Sequence, residues 1–296
     1  MNTVKRIILK VFFIGWIVAL STSYSFASSE QVPSVDFLVT SLKIQESQSS
    51  PALSVKWKTI GFINGVKTTG SREVWYVRTP KILFLESKYF KNGVWRMTNK
   101  ERYEIDTNFW KAITINPSGE QTGEFGTGIQ SSGLSSGDMV ETVYTPVVGT
   151  AAGWTLLDLL KSGKVNINSD KKAINGIPCW VIEGNKSLGY EKDWKAYLDP
   201  AIGFCPRLIE ISGPSEERTV SFEEYTQIKG GVWFPKSMVM TKRGTDANGK
   251  SYENKSVFSI TDVSAGVAVS PESTSIDFPS GITLRDLDTE RRLKAN

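Results

Sequence analysis

The feature that most constrains this chain is a set of turn dipeptides between segments of alternating apolar and polar residues. Leu53 to Lys58 alternates with period two, as a strand with one solvent-exposed face does. An Asn-Gly pair supplies the positive φ values that a two-residue hairpin turn requires. Such pairs occur at residues 64–65, 92–93, 175–176 and 248–249, and a Gly-Gly pair occurs at 230–231. The sequence therefore predicts a mainly β chain that folds as an antiparallel meander.

Four segments depart from this strand pattern. Residues 33–48 carry apolar residues at helical spacing after a proline, which predicts an opening helix. Residues 117–137 are rich in Gly, Ser, Thr and Gln, which predicts a flexible loop. Residues 138–163 return to helical spacing and predict a helical insertion. The charged residues from Arg285 onward predict a frayed end or a solvated helix.

The first 27 residues have the three parts of a secretory signal peptide. Three cations precede an apolar stretch of about ten residues, and a small-residue cleavage site ends at Ala27. The stretch is well short of the ~20 residues that cross a bilayer as a helix. We expect signal cleavage, no transmembrane segment in the mature chain, and a single periplasmic or secreted domain over residues 28–296. A retained membrane anchor is the alternative.

Composition argues against several classes of function. The chain has 35 Lys and Arg against 31 Asp and Glu, and three of the cations lie in the predicted signal peptide. A near-neutral mature chain without a long basic run has no electrostatic footprint for nucleic acid. The sequence contains no histidine, which excludes His-dependent triads and zinc sites built on imidazole. We expect no nucleic-acid partner, no cofactor and no resident metal.

Three short motifs that could carry catalysis are better explained by other roles. Gly133 to Gly137 fits G-x-S-x-G but has no apolar strand before it and no base partner. Gly123 to Gly128 lacks the lysine of a phosphate loop and its βαβ setting. Adjacent acids such as Glu216-Glu217 and Glu223-Glu224 point to opposite faces of a strand, whereas glycosidases need two acids facing one substrate. We therefore expect no enzymatic activity, with a histidine-free carboxylate hydrolase as the catalytic alternative.

The chain has two cysteines, Cys179 and Cys205. An oxidising compartment would allow them to form a disulfide. If they lie on alternate strands of a meander, two spacings of ~4.8 Å put their Cα atoms beyond disulfide reach. The sequence leaves the pairing open.

Aromatic residues are the other candidates for function. Nine Trp, nine Tyr and fourteen Phe suit half-buried sheet surfaces, and most of them are interpreted as core. A single curved sheet buries both faces only where helices cover it, so part of this surface is a candidate cavity lining. We select five tryptophans as predicted cavity liners: Trp57, Trp75, Trp95, Trp154 and Trp233.

The order of segments resembles a known family. After the signal peptide, the opening helix and the first strand, Glu73 to Pro80 carries an aromatic and ends at proline. Lys91 to Trp95 then contains an Asn-Gly turn and a second aromatic. This order is similar to that of the periplasmic lipoprotein carriers of the outer-membrane sorting pathway. Residues 194–207 and 231–235 resemble secreted relatives of unknown role, and the inserted segment 117–163 departs from the compact carriers.

The resemblance implies an incomplete, strongly curved antiparallel β-barrel with helices covering its concave face. Such a fold would enclose an apolar cavity suited to acyl chains, and no catalytic residue is implied. We therefore predict a soluble exported carrier or sensor for a lipid or an acylated protein, with an envelope protein as a further kind of partner. The alternative is a periplasmic protein-interaction or regulatory module that uses the sheet as a scaffold.

Overall fold

A computed structural model describes residues 31–49, 52–128, 156–161, 165–184, 193–213, 216–229, 231–266 and 268–295. Val32–Asn296 forms one compact unit, and the description below concerns that unit. The predicted signal peptide, Trp154 and most of the predicted helical insertion lie outside the described residues.

Two helices are described. Helix α1 spans Val35–Ser49, and helix α2 spans Leu156–Lys161. The Ser34 hydroxyl accepts a hydrogen bond from the Phe37 amide at 3.2 Å, which satisfies one of the free donors at the start of α1. The opening helix predicted from apolar spacing is therefore confirmed. Neither helix is long and apolar enough to cross a membrane.

Sixteen strands make up most of the described chain and form one open sheet. In chain order they are β1 Leu53–Ile63, β2 Val66–Arg78, β3 Ile82–Lys91, β4 Val94–Glu104, β5 Phe109–Ile115, β6 Gln121–Thr127, β7 Val165–Ile167, β8 Lys172–Ile174, β9 Ile177–Gly184, β10 Asp193–Asp199, β11 Cys205–Ser212, β12 Glu216–Gln227, β13 Trp233–Thr245, β14 Ser251–Ala265, β15 Thr283–Asp286 and β16 Arg291–Lys294. The prediction of a mainly β fold is confirmed.

The sheet consists of two meanders joined where the first strand of one pairs with the last strand of the other. Across the sheet the order is β16, β15, β6, β5, β4, β3, β2, β1, β14, β13, β12, β11, β10, β9 and β7, and β8 pairs with β9. The two meanders meet where β1 pairs with β14. Described pairs are antiparallel, apart from the parallel pair of β6 and β15.

The Asn-Gly pairs lie at hairpin turns, as predicted. Asn64 and Gly65 connect β1 to β2 with φ of 49° and 79°. Asn92 and Gly93 connect β3 to β4 with φ of 54° and 74°. Positive φ at both central positions matches the right-handed twist of the flanking strands, and Asn and Gly adopt it most readily.

Two sequence predictions are corrected. Residues 121–127, assigned to a flexible loop over 117–137, form strand β6. A Cβ at Gly123 would lie 2.6 Å from Leu284 Cδ2 and 2.8 Å from Phe278 Cε1, so this glycine permits close packing. The remainder of the predicted loop, from residue 129, lies outside the described residues.

The charged C-terminal tail is the second correction. It forms a hairpin of β15 and β16 instead of a frayed end or helix. Buried Leu284 attaches β15 to the sheet. The Asp286 carboxylate accepts hydrogen bonds from the Asp288 amide at 3.0 Å and from the Thr289 hydroxyl at 2.7 Å, which closes the turn.

Both faces of the sheet carry buried residues. On the helix-bearing face, Leu38 and Leu42 of α1 and Leu156 and Leu160 of α2 belong to one large cluster with strand residues, here called the main core. Successive strand residues point to opposite faces, so the two smaller clusters lie on the other side. The C-terminal cluster contains Val77, Phe84, Ile113 and Ile276, and the cysteine cluster contains Cys179, Val181 and Tyr197.

Candidate functional site

The predicted cavity liners do not form one group. Trp57 is buried in the main core on the helix-bearing face. Trp75 packs against the C-terminal cluster on the opposite face, where its indole N–H donates to Ser54 Oγ at 2.9 Å. Trp95 and Trp233 are half-buried and lie at the starts of β4 and β13. Trp154 lies outside the described residues, so a role for it stays a prediction.

Three other tryptophans on the helix-bearing face have unsatisfied polar groups. Trp110, Trp180 and Trp194 belong to the main core and are 2%, 1% and 4% exposed. Each has a buried indole N–H without a hydrogen-bond acceptor in the described structure. A buried donor without a partner is costly, and native proteins usually satisfy it with protein, water or ligand atoms. The sequence marks these residues as aromatic but gives no signal of an unmet donor.

Arg72 on β2 is a further unsatisfied group. Its Nη2 donates to Ser87 Oγ at 2.7 Å, and its guanidinium lies 5.1 Å from the Tyr89 ring centroid. Its Nε is buried without an acceptor, and no described carboxylate pairs with the side chain. A half-buried guanidinium in this state can bind a carboxylate or phosphate oxygen.

A row of directly paired residues joins this arginine to the main core. Phe222 pairs with Met238, and Met238 pairs with Phe258. Phe258 pairs with Thr59, which pairs with Arg72. Directly paired residues share a face, so all five lie on the helix-bearing side. We call these five residues, which run from three apolar side chains to Thr59 and Arg72, the apolar row.

Burial decreases along the apolar row. Phe222 and Met238 are 2% and 0% exposed, whereas Phe258, Thr59 and Arg72 are half-buried. At ~4.8 Å per strand, Phe258 and Arg72 are two strands or about 10 Å apart. The row thus passes from apolar contacts within the core to an unpaired cation near solvent. This arrangement suits an amphiphile whose head group carries oxygen atoms.

The cysteines belong to a separate, structural centre. Cys205 pairs with Asp199 on β10, and Cys179 precedes Trp180, which pairs with Leu198 of the same strand. Strand β10 therefore lies between the two cysteines, and both thiols are free. Burial, followed by the charge of Asp199, raises the pKa of Cys179 to about 11 and of Cys205 to about 12. Protonated thiols are poor nucleophiles, so neither cysteine is a candidate for catalysis.

Asp199 organises this centre. Its Oδ2 accepts from Arg207 Nε at 3.0 Å and from Nη2 at 2.8 Å, while its Oδ1 accepts from the Ala201 amide at 2.9 Å. The Arg207 guanidinium lies 4.8 Å from the Tyr225 ring centroid, and the Tyr225 hydroxyl donates to the Pro206 carbonyl oxygen. With Asp199 only 2% exposed, these bonds satisfy a buried carboxylate.

The acids considered for hydrolysis are occupied by ion pairs or point apart. Glu216 contacts Arg218 Nη2 at 3.3 Å and Lys242 Nζ at 2.5 Å. Glu216 and Glu217 occupy successive positions on β12 and so point to opposite faces. Within the described residues, no three His, Cys, Asp or Glu side chains are placed to hold a metal ion.

The sheet opens between β13 and β14 at one end. Their pairing extends from Ser237 opposite Ser259 to Thr245 opposite Ser251. The last residues of β14, Ile260–Ala265, pair with β1 but extend beyond the ladder with β13. A surface depression of ≈ 550 Å³ lies there, lined in part by Pro235, Lys236 and Val263. This end of β14 resembles an edge that an added strand could extend.

Comparisons with known proteins give similarity in structure alone. No family model and no curated protein matches the chain. An outer membrane lipoprotein-sorting protein domain from Vibrio parahaemolyticus is 13% identical, with a TM-score of 0.47 over 82% of this chain and 97% of that one. A DUF1329 family protein from Desulfovibrio piger is 10% identical, with a TM-score of 0.47 over 81% of this chain and 97% of that one. At these values, the proposed function rests on this chain's own residues.

Proposed function

We propose that this protein is an exported carrier or sensor that binds a lipid or an acylated protein on the helix-bearing face. The observation that carries the proposal is the apolar row, which ends at the unpaired guanidinium of Arg72. An acyl chain would contact the half-buried part of the row at Phe258, and the guanidinium of Arg72 would bind head-group oxygen atoms. The protein itself would make and break no covalent bond.

The proposal includes a strongly curved sheet with α1 and α2 on its concave side. Trp110 of β5 and Trp180 of β9 belong to the same core cluster as Leu38 and Leu42 of α1. Ten strand intervals separate β5 from β9 in the sheet order, which is about 48 Å in a flat sheet. Helix α1 has 15 residues, about 22 Å in length. One cluster containing both strands and the helix supports a sheet that bends around α1.

The energetics favour retention of a long acyl chain. Burial stabilises the bound chain by ~0.8 kcal/mol per CH₂, or about 10 kcal/mol as an upper figure for a long chain. The cost of association reduces this figure by several kcal/mol. What remains is enough to hold a lipid in an aqueous compartment without a covalent link.

Native mass spectrometry with lipid extraction on the mature protein, purified from its exporting host, tests the proposal. We expect a near-stoichiometric acyl lipid in the wild type and its loss in Phe258→Glu, which places a charge in the apolar row. Val257→Glu is the matched control, because Val257 is the half-buried neighbour on the opposite face of the same strand. Retention of lipid by Phe258→Glu, or equal loss in both variants, would contradict the proposed site.

A protein-interaction module is the second candidate function. The opening between β13 and β14 favours it, because the last residues of β14 could pair with an extended segment of a partner. If native mass spectrometry detects only the ligand-free protein after incubation with added lipid, the result would favour this module over the carrier.

A further inference from the structure

Two hairpin turns expose large apolar side chains to water. Ile63 and Val66 flank the turn between β1 and β2 and are 54% and 71% exposed. Val94 follows the turn between β3 and β4 and is 55% exposed. The turns themselves require only their Asn-Gly pairs, so these aliphatic residues have no role in forming the hairpins.

The two turns lie at the same end of the sheet, and the β1–β2 turn extends about four residues beyond the β3–β4 turn. Strands β2 and β3 are paired, and the Asn92 amide of one turn donates to the Thr69 carbonyl oxygen of the other hairpin at 2.8 Å. Trp95 is half-buried directly after Val94, and its indole N–H donates to Thr98 Oγ1 at 3.1 Å. We call Ile63, Val66, Val94 and Trp95 the hairpin-tip patch.

The two turns carry cations and no acids of their own, although Glu216, Glu217 and Glu253 of the neighbouring strands line a depression with Asn64. Lys67, Lys91 and Arg96 are exposed and form no ion pair with a described carboxylate. Residues 61–72 and 87–98, which contain both turns, include no Asp or Glu. Glu253 approaches from β14, but it is paired with Arg243 at 2.7 Å.

The neighbouring turn between β5 and β6 has a different character. The Asn116 side-chain oxygen accepts from the Ser118 amide at 3.1 Å and from the Glu120 amide at 3.0 Å. The described part of that turn carries no exposed large apolar residue. Among the turns that the structure describes at this end of the sheet, large exposed apolar residues therefore occur at these two.

We propose that the hairpin-tip patch docks this protein on the surface of an anionic phospholipid bilayer. Exposed aliphatic side chains on narrow turns can enter the interfacial layer, and a tryptophan beside them favours that depth. Unpaired cations around them are attracted to anionic head groups, and each strengthens binding by about fivefold. The proposal does not depend on whether the helix-bearing face carries a lipid.

Vesicle flotation of the full mature chain tests this docking. The probes are vesicles of phosphatidylethanolamine with phosphatidylglycerol and vesicles of phosphatidylcholine alone. We expect binding to the anionic vesicles that weakens with added salt, since screening reduces the attraction. The double variant Val66→Asp with Val94→Asp should lose about tenfold or more in affinity, because it removes apolar contact and adds repulsion.

Two triple variants that remove the same charge separate the effect of the cations near the patch from the effect of net charge. Lys67→Gln, Lys91→Gln and Arg96→Gln together should weaken binding by about a hundredfold. The control combines Lys81→Gln, Lys229→Gln and Lys236→Gln, which remove the same charge at the opposite end of the sheet, and it should bind as the wild type does. Thermal unfolding checks that all variants remain folded. Equal binding to both vesicle types, equal losses in the two triple variants, or an unaffected Val66/Val94 double variant would each overturn the proposal. So would binding of a protein partner by the patch with no affinity for vesicles.

Discussion

Strands β9 to β11 and strands β12 to β14 belong to one meander, but they are buried differently. On β10, Trp194, Ala196 and Leu198 lie in the main core, while Tyr197 lies in the cysteine cluster on the other face. On β14, by contrast, most residues are half-buried or exposed. Strands covered on both faces have their contacts completed within the chain, whereas strands covered on one face retain surface for another molecule. Under the proposed function, β9–β11 would act as a scaffold and β12–β14 would contribute to binding.

The largest expected effect is a loss of stability when an ion pair buried among β9–β11 is removed. Asp199→Ala should lower the free energy of unfolding by about 3–5 kcal/mol, because it leaves the Arg207 guanidinium without its buried partner. Urea denaturation measures this loss. The matched control is Glu253→Ala, which removes an exposed partner of Arg243 and should cost less than about 1 kcal/mol. Similar losses in the two variants would show that burial does not distinguish these pairs.

A smaller effect is expected where β9 contacts β10. A Cβ at Gly184 would lie 2.6 Å from Trp194 Cζ2, so Gly184→Ala should destabilise the fold by about 1–3 kcal/mol through overpacking. Gly70→Ala on β2 is the control, because the atom closest to its added Cβ is the Phe90 carbonyl oxygen at 3.9 Å. The melting temperatures of the two variants measure this difference. An equal decrease in melting temperature would mean that the close packing at Trp194 can relax.

The third effect is confined to alkaline pH. Both thiols have pKa values raised by burial, to about 11 for Cys179 and about 12 for Cys205. Between about pH 9 and pH 12, the unfolded chain loses these protons while the folded chain keeps them, so stability falls as pH rises. The double variant Cys179→Ala with Cys205→Ala should show a shallower fall in the free energy of unfolding over this window. Identical slopes for variant and wild type in urea titrations would refute the role of the thiols.

The sequence predicts the hairpins well because their signals are local. An Asn-Gly pair favours positive φ at two adjacent residues, and three of the four pairs adopt it at both. The cysteine pairing, by contrast, is left open by the sequence, because it depends on which strands separate the two residues; in the structure β10 lies between Cys179 and Cys205, and both are free. The hairpin signals require no knowledge of such distant contacts.

The errors and omissions arise from long-range packing. Gly123 was interpreted through the composition of its neighbours, but the Leu284 and Phe278 side chains that pack on it come from the end of the chain. Trp75 could not be assigned to a face, because both faces of the sheet are buried and alternation alone does not say which one bears the helices. The unmet donors of Arg72 and Trp110 depend on the absence of acceptors nearby in space, which has no sequence pattern.

The pairing of β1 with β14 also governs how this chain can fold. Leu53 near the start of the described chain pairs with Ala265 close to its end, so the middle of the sheet cannot form until almost the whole polypeptide is present. Non-local pairing of this kind carries a large loop-closure entropy and slows folding. Each meander can form its hairpins from local contacts, whereas the seam between them joins residues from opposite ends of the chain. A chain of this topology should therefore remain incompletely folded for longer than a local meander of equal length, and it would suit a protein that crosses a membrane before it folds.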